Sequence, residues 1–146
     1  MPMPKKPRPP CKSCGKPVKR PTSTYCDNQC QKDFEYREFI RRWKAGEVSG
    51  NIRVGSDSVS RHVRRYLMEK HGEKCEKCGW SERHPTTGLV PLTVDHKDGD
   101  GTNTAEENLR LLCPNCHSLT PTYGNLNKGN GRKTRRKTRN PDHSRM

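Results

Sequence analysis

All eight cysteines of this chain fall into four short pairs: Cys11 with Cys14, Cys26 with Cys30, Cys75 with Cys78, and Cys113 with Cys116. A turn of two or three intervening residues aims both thiolates at one point. Two such turns make a tetrahedral zinc site, whereas a disulfide framework has no need of them. The spacing therefore predicts two structural Zn2+ ions, paired in sequence order: Cys11, Cys14, Cys26 and Cys30, then Cys75, Cys78, Cys113 and Cys116. An interleaved pairing would force residues 31–74 to bridge two shared sites. The disulfide alternative belongs to oxidising compartments. The sequence shows no secretory signal pattern and no membrane-length apolar run, so a reducing cytoplasm and no membrane partner are expected.

Metal is needed because the chain is poor in core-forming residues. Hydrophobic residues make up 27% and charged residues 32%, with a net charge of +14. A chain of this composition buries too little apolar surface to offset its conformational entropy. Each structural zinc contributes on the order of 10 kcal/mol to folding, which replaces the missing core. Counting the thiolates and the ions lowers the net charge to about +10, still strongly basic. That balance points to a polyanionic partner, nucleic acid.

The expected fold class is a small zinc-stabilised α+β protein with basic, disordered termini. Residues 1–10, rich in Pro and basic residues, read as a disordered arm. Residues 11–46 read as a zinc knuckle running into a helix, with Asp27 as cap and Tyr36, Phe39, Ile40 and Trp43 as an apolar stripe. Gly46 ends it. Residues 47–57 read as a linker and residues 58–72 as a second helix, with Val59, Val63, Tyr66 and Leu67 on one face. Arg61, Arg64 and Arg65 lie off that stripe. They are candidate DNA-phosphate contacts, against the plain alternative of a solvated face. Residues 73–128 read as a strand near "LVPLTVD", a capping box at Thr104–Glu107, a strand at "NLRLLC", and a helix from Cys113 with Pro114 in its first turn. Residues 129–146 are a basic tail, and Arg132, Lys133, Arg135 and Arg136 are candidate DNA contacts.

Four residues outside the zinc ligands carry chemistry. Asp95 and His96 stand side by side at the end of a strand, Asn108 opens the next, and His117 directly follows Cys116. Together, "VDH" and "ENLRLLCPNCHSLT" resemble the HNH nuclease family over about residues 73–128. Residues 11–46 resemble, more weakly, an accessory zinc module of free-standing phage HNH proteins. The resemblance implies a ββα-metal domain in which His96, Asn108 and His117 match the three name-giving positions. Asp95 matches the acidic residue before the first. It implies a divalent ion, Mg2+ or another such as Mn2+, on Asp95 and His117, and Asn108 as a loop tie. The implied substrate is double-stranded DNA, and the implied products carry 5′-phosphate and 3′-hydroxyl ends.

Elementary chemistry agrees with that assignment. Phosphodiester hydrolysis needs an activated water, a cation on the phosphoryl oxygen and charge relief at the leaving oxygen. His96 can accept the proton at neutral pH. Asp95 and His117 offer one oxygen and one nitrogen to a cation, leaving room for substrate and water. The run from Asp98 is not an EF-hand loop: Asn103 stands where Gly is required and Leu109 where Glu is. Asp98 and Asp100 read as turn formers. His62, His71, His84 and His143 have no ligand-like neighbours in sequence.

The expected function is a metal-dependent DNA endonuclease, homing-type and phage-encoded by resemblance, acting in the host cytoplasm. Packaging-associated and defence nucleases are the alternatives within the family. One active site per chain leads to nicking by a monomer, or double-strand cleavage by a homodimer or two events. The rival from another class is a zinc-finger DNA-binding protein without catalysis. It fits the charge and cysteines equally and leaves Asp95, His96, Asn108 and His117 unexplained. An RNA-binding module would want exposed aromatics for stacking.

Overall fold

Asp27 begins the first helix by accepting a hydrogen bond from the Cys30 amide (2.8 Å) in the computed structural model, which describes residues 3–128. The chain divides into two compact units, residues 1–48 and residues 49–146. In the first, helix α1 (Asn28–Lys44) buries Tyr36, Ile40 and Trp43 on one face, and Gly46 follows it with φ +75°. The knuckle before it is closed by backbone bonds from Cys11 N to Lys16 O and Gly15 N to Cys11 O. Arg37 ties α1 to that knuckle through Ser13 O (2.9 Å) and Ser13 Oγ (3.0 Å). The proline arm is not wholly free of the fold. Pro10 pairs with Pro17, and Val18, fully buried, donates its amide to Pro9 O.

The second unit starts with a departure from the sequence reading. Residues 47–57, expected to be a linker, belong in large part to a folded hairpin. Asn51 bridges Val59, Ile52 N donates to Ser58 O, and Ser60 N donates to Gly50 O. Gly55 turns the tip with φ +77°. The segment lacks apolar periodicity because backbone and amide hydrogen bonds hold it. Val59 is consequently in the hairpin and not on the helix. Ser60 caps helix α2 (Arg61–His71) by accepting from Val63 N, and Val63 and Leu67, one turn apart, are fully buried.

Strand β1 is Thr93–His96, shorter than "LVPLTVD". Pro91 has no amide to give a ladder, although Val90 and Leu92 on either side of it are buried. β1 pairs antiparallel with β2 (Leu109–Leu112), with Asp95 opposite Arg110 and His96 opposite Leu109. Leu109, Leu111 and Leu112 are buried, each worth ~1.5–3 kcal/mol. The short helix α3 (Pro114–Ser118) follows at once, with Cys113 as cap and Pro114 in its first turn. A ββα unit results, and α2 packs on β2. The capping box at Thr104 does not form. Residues Glu106–Asn108 make a single 3-10 turn with no side-chain cap, because Thr104 Oγ1 accepts from Gly50 N (2.8 Å) instead. The basic tail with Arg132, Lys133, Arg135 and Arg136 lies outside the described residues.

Candidate active site and metal centres

The cysteines converge as two separate sets. Cys11, Cys14, Cys26 and Cys30 place their sulfurs within 4.8 Å of one another, and so do Cys75, Cys78, Cys113 and Cys116. None of the eight is joined in a disulfide. Tetrahedral Zn–S bonds of ~2.3 Å require sulfurs about 3.8 Å apart. Cys14 to Cys26 is 3.6 Å and Cys78 to Cys113 is 3.8 Å.

The protonation chemistry matches a cation site. Burial pushes the Cys11 thiol up, but backbone amides of Cys14, Ser13 and Cys26 outweigh it and bring it to about 6. Cys75 behaves alike, at about 6, with amides at Cys113, Cys78 and Lys77. Burial and neighbouring thiols push Cys30 and Cys116 to about 12. Four thiolates gathered this closely repel one another, and a positive ion among them would offset that repulsion. His117 is not needed to complete the second set.

Asp95 is 5% exposed, near the end of β1. Its Oδ2 accepts from Arg110 Nε at 2.7 Å, the residue opposite it in the ladder. Its Oδ1 lies 3.8 Å from His117 Nε2. That gap is too long for a hydrogen bond. It is within the reach of two metal–ligand bonds, together ~4.2 Å. Carboxylate oxygen and imidazole nitrogen suit a divalent ion. The pair thus fits the cation that the sequence resemblance implies. His117 is fixed from both sides: its amide donates to Cys113 O, and its ring packs edge-on against Tyr123 at 5.2 Å between centroids.

His96 is the last residue of β1, so strand alternation turns it away from the face that carries Asp95. Its Nε2 is buried without a hydrogen-bond partner. Burial holds its pKa below the ordinary histidine value, against the opposing pull of Asp95, Asp98, Asp100 and Asp57. The ring is thus biased towards the neutral, proton-accepting form.

Asn108 closes the loop that leaves His96. Its Nδ2 donates to Asp98 Oδ1 and to Asn103 O, both at 2.9 Å, while its Oδ1 accepts from Asp98 N at 3.1 Å. Asp98 and Asp100 face inward onto the loop. Asp98 accepts from Asn103 and from Asp100 N, and Asp100 accepts from Thr102 N and Oγ1. Burial alone would raise the Asp98 carboxyl, but donors from Asn103 and Asn108 bring it below the usual range.

Among the candidate DNA contacts, Arg61, Arg64 and Arg65 stand on α2, where Arg65 is paired with Glu69 at 2.7 Å. Sequence reasoning missed Arg110 and Asn51 and gave Thr104 a different partner. Arg110 becomes visible once the two strands are set in register opposite Asp95. Asn51 has no local signal and the local pattern at Thr104 misleads, because their partners lie about 50 residues away. Among the described residues, no helix is long and apolar enough to cross a membrane.

Residues 75–120 match the model of a family described as HNH endonuclease. A curated relative, the H-N-H endonuclease F-TflIV of Escherichia phage T5, is 47% identical over 112 residues, which are 75% of this chain and 41% of that protein. The chain thus spans less than half the length of this relative. No solved structure gives a significant match. The match takes in the second cysteine set, both strands, α3, and Asp95, His96, Asn108 and His117, and it assigns this part of the chain to the HNH endonuclease family.

Proposed function

We propose that the protein is a metal-dependent endonuclease that hydrolyses phosphodiester bonds of double-stranded DNA. The observation that carries this reading is the approach of Asp95 Oδ1 and His117 Nε2 to 3.8 Å at the strand end that also bears His96. Zinc on the two cysteine sets holds the fold, and a divalent ion such as Mg2+ or Mn2+ on Asp95 and His117 serves the reaction. Bound there, that ion supplies a Lewis acid for the phosphoryl oxygen and charge relief for the leaving oxygen.

The chain's own residues do the rest. His96, biased towards its neutral form, takes the proton of the attacking water. His96 is the last paired residue of β1 and faces away from Asp95, so the two border one phosphate when it lies between them at the strand end. Arg110 orients the Asp95 carboxylate through one oxygen and leaves the other towards His117. Asn108 holds the loop by three hydrogen bonds and donates nothing to the reaction. The net charge of +14 suits a DNA partner, with Arg61, Arg64, Arg65 and the basic tail as phosphate contacts. The likeness to the H-N-H endonuclease F-TflIV of Escherichia phage T5 favours a phage enzyme working in the host cytoplasm; the homing role is what the sequence resemblance implies.

A plasmid-nicking assay with and without magnesium tests the proposal. Relaxed or linear plasmid should form with the ion and not without it, and Asp95→Ala and His117→Ala should stop it. DNA binding with no cleavage under any divalent ion would instead establish a zinc-based binding protein.

A further inference from the structure

The loop between His96 and Asn108 is made of Lys, Asp, Gly, Thr, Asn and Glu, with Ala105 as its single apolar side chain. Two of its carbonyls are gripped by asparagines from outside. Asn127 Nδ2 donates to Gly99 O at 2.7 Å, and Asn51 Nδ2 donates to Gly101 O at 2.8 Å. The Asn51 grip is the more elaborate. Asn51 is 7% exposed, and the same nitrogen also donates to Ser56 O within its own hairpin. One residue earlier, Gly50 N donates to Thr104 Oγ1, itself buried. Between these bonds the two backbones meet directly. A Cβ on Gly101 would lie 2.6 Å from Asp57 Cβ and 3.1 Å from Asp57 Cα, so only glycine fits. Asp57 is also one of the charges acting on His96. None of residues 50–60 falls within residues 75–120, which the family model covers.

We propose that hairpin 50–60 is a working part of the nuclease, a brace that sets the loop after His96, and that Asn51 is its principal positioning residue. This rests on the endonuclease reading above. The chemistry explains why the residue is asparagine. A primary amide carries two N–H donors on one nitrogen, enough to hold a carbonyl on each side of the contact. Aspartate has the same shape and no donor, so it would set a carboxylate against two carbonyl oxygens. The brace acts by geometry. A misplacement of ~1 Å at a reacting group can cost about 10²-fold in rate while leaving substrate binding intact.

The test uses the full-length, zinc-loaded chain and its variants Asn51→Asp, Asn51→Ala and Thr104→Val. Zinc content by metal analysis confirms that each is folded, and Thr104→Val interrogates the same brace if an Asn51 variant fails that criterion. Cleavage is followed under single turnover, with DNA affinity measured separately, and amide hydrogen exchange is mapped by mass spectrometry. The expected result is a maximal rate ~10- to 10²-fold lower for Asn51→Asp, with DNA affinity within about twofold of wild type. Exchange should quicken in residues 97–104 and stay unchanged in α2. Cleavage at the wild-type rate with unchanged exchange in 97–104 overturns the brace, as does an equal rise of exchange throughout the second unit. If wild type itself does not cut but the variants loosen residues 97–104, the endonuclease reading fails and the structural brace stands.

Discussion

Arg110→Met removes the guanidinium that pairs with Asp95. The Asp95 side chain is 6% exposed and that of Arg110 29%, with 2.7 Å between Oδ2 and Nε. Stripping the partner from a fully buried carboxylate costs about 3–5 kcal/mol. Arg110 keeps part of its surface in water, which screens the pair, so about 2 kcal/mol is expected here. That is roughly a 30-fold change in the folding equilibrium, or a fall in Tm of about 8–16 °C for a unit of this size. The companion variant Asp95→Asn removes the charge instead of its partner. If the two residues act through each other, the double variant Asp95→Asn/Arg110→Met should be more stable than the sum of the single losses, by at least ~1 kcal/mol. A divalent ion supplies Asp95 with a second cation, so Mg2+ or Mn2+ should stabilise Arg110→Met more than wild type. The assay is denaturant unfolding with zinc present throughout, with and without the second ion. Single losses that add within about 0.5 kcal/mol would refute the coupling, and an Arg110→Met variant as stable as wild type would refute the burial argument.

Three other outcomes are expected. Metal analysis should find two tightly held zinc ions per chain, and Cys116→Ser should lose one of them together with the ββα fold; fewer than two, or disulfides under reducing conditions, would contradict the donor sets. His96→Ala should keep zinc and DNA affinity while cleavage falls by at least ~10²-fold, with no recovery across a magnesium titration, whereas Asp95→Ala and His117→Ala should recover in part. Recovery of His96→Ala by magnesium would remove it as the base. Deleting residues 129–146 should weaken DNA binding on all sequences alike and flatten its salt dependence, because Lys and Arg on phosphates carry no base information. A truncated chain of undiminished affinity that prefers a different site would show that the tail reads sequence.

Readings that depended on local chemistry agree closely with the structure. Asp27 caps α1, Cys113 and Pro114 open α3, and the two cysteine sets close in sequence order. Each is settled within a few residues, by a cap, a fixed φ or a short chelating turn. The readings that failed concern polar residues whose partners are remote. Thr104 carries a capping-box pattern with Glu107, yet its hydroxyl oxygen accepts a hydrogen bond from the Gly50 amide, 54 residues away. Residues 47–57 contain no apolar stripe, and without one a hairpin held by an asparagine amide is indistinguishable from a linker.

The same division runs through the candidate site. Sequence alone singled out the candidate side chains, since Asp95, His96, Asn108 and His117 stand out by residue type and spacing beside a four-cysteine frame. It also led to the expectation that metal replaces part of a core, because the apolar content is small, and the two four-cysteine clusters could hold such ions. Tertiary structure decided which atoms meet. Strand register set Arg110 on one oxygen of Asp95, α3 brought His117 within 3.8 Å of the other, and the hairpin placed Asn51 and Asp57 against the loop beyond His96. A hydrogen bond or an ion pair is specific in three dimensions but leaves no periodic mark along a chain, and so the partners of these groups became visible only in the folded protein.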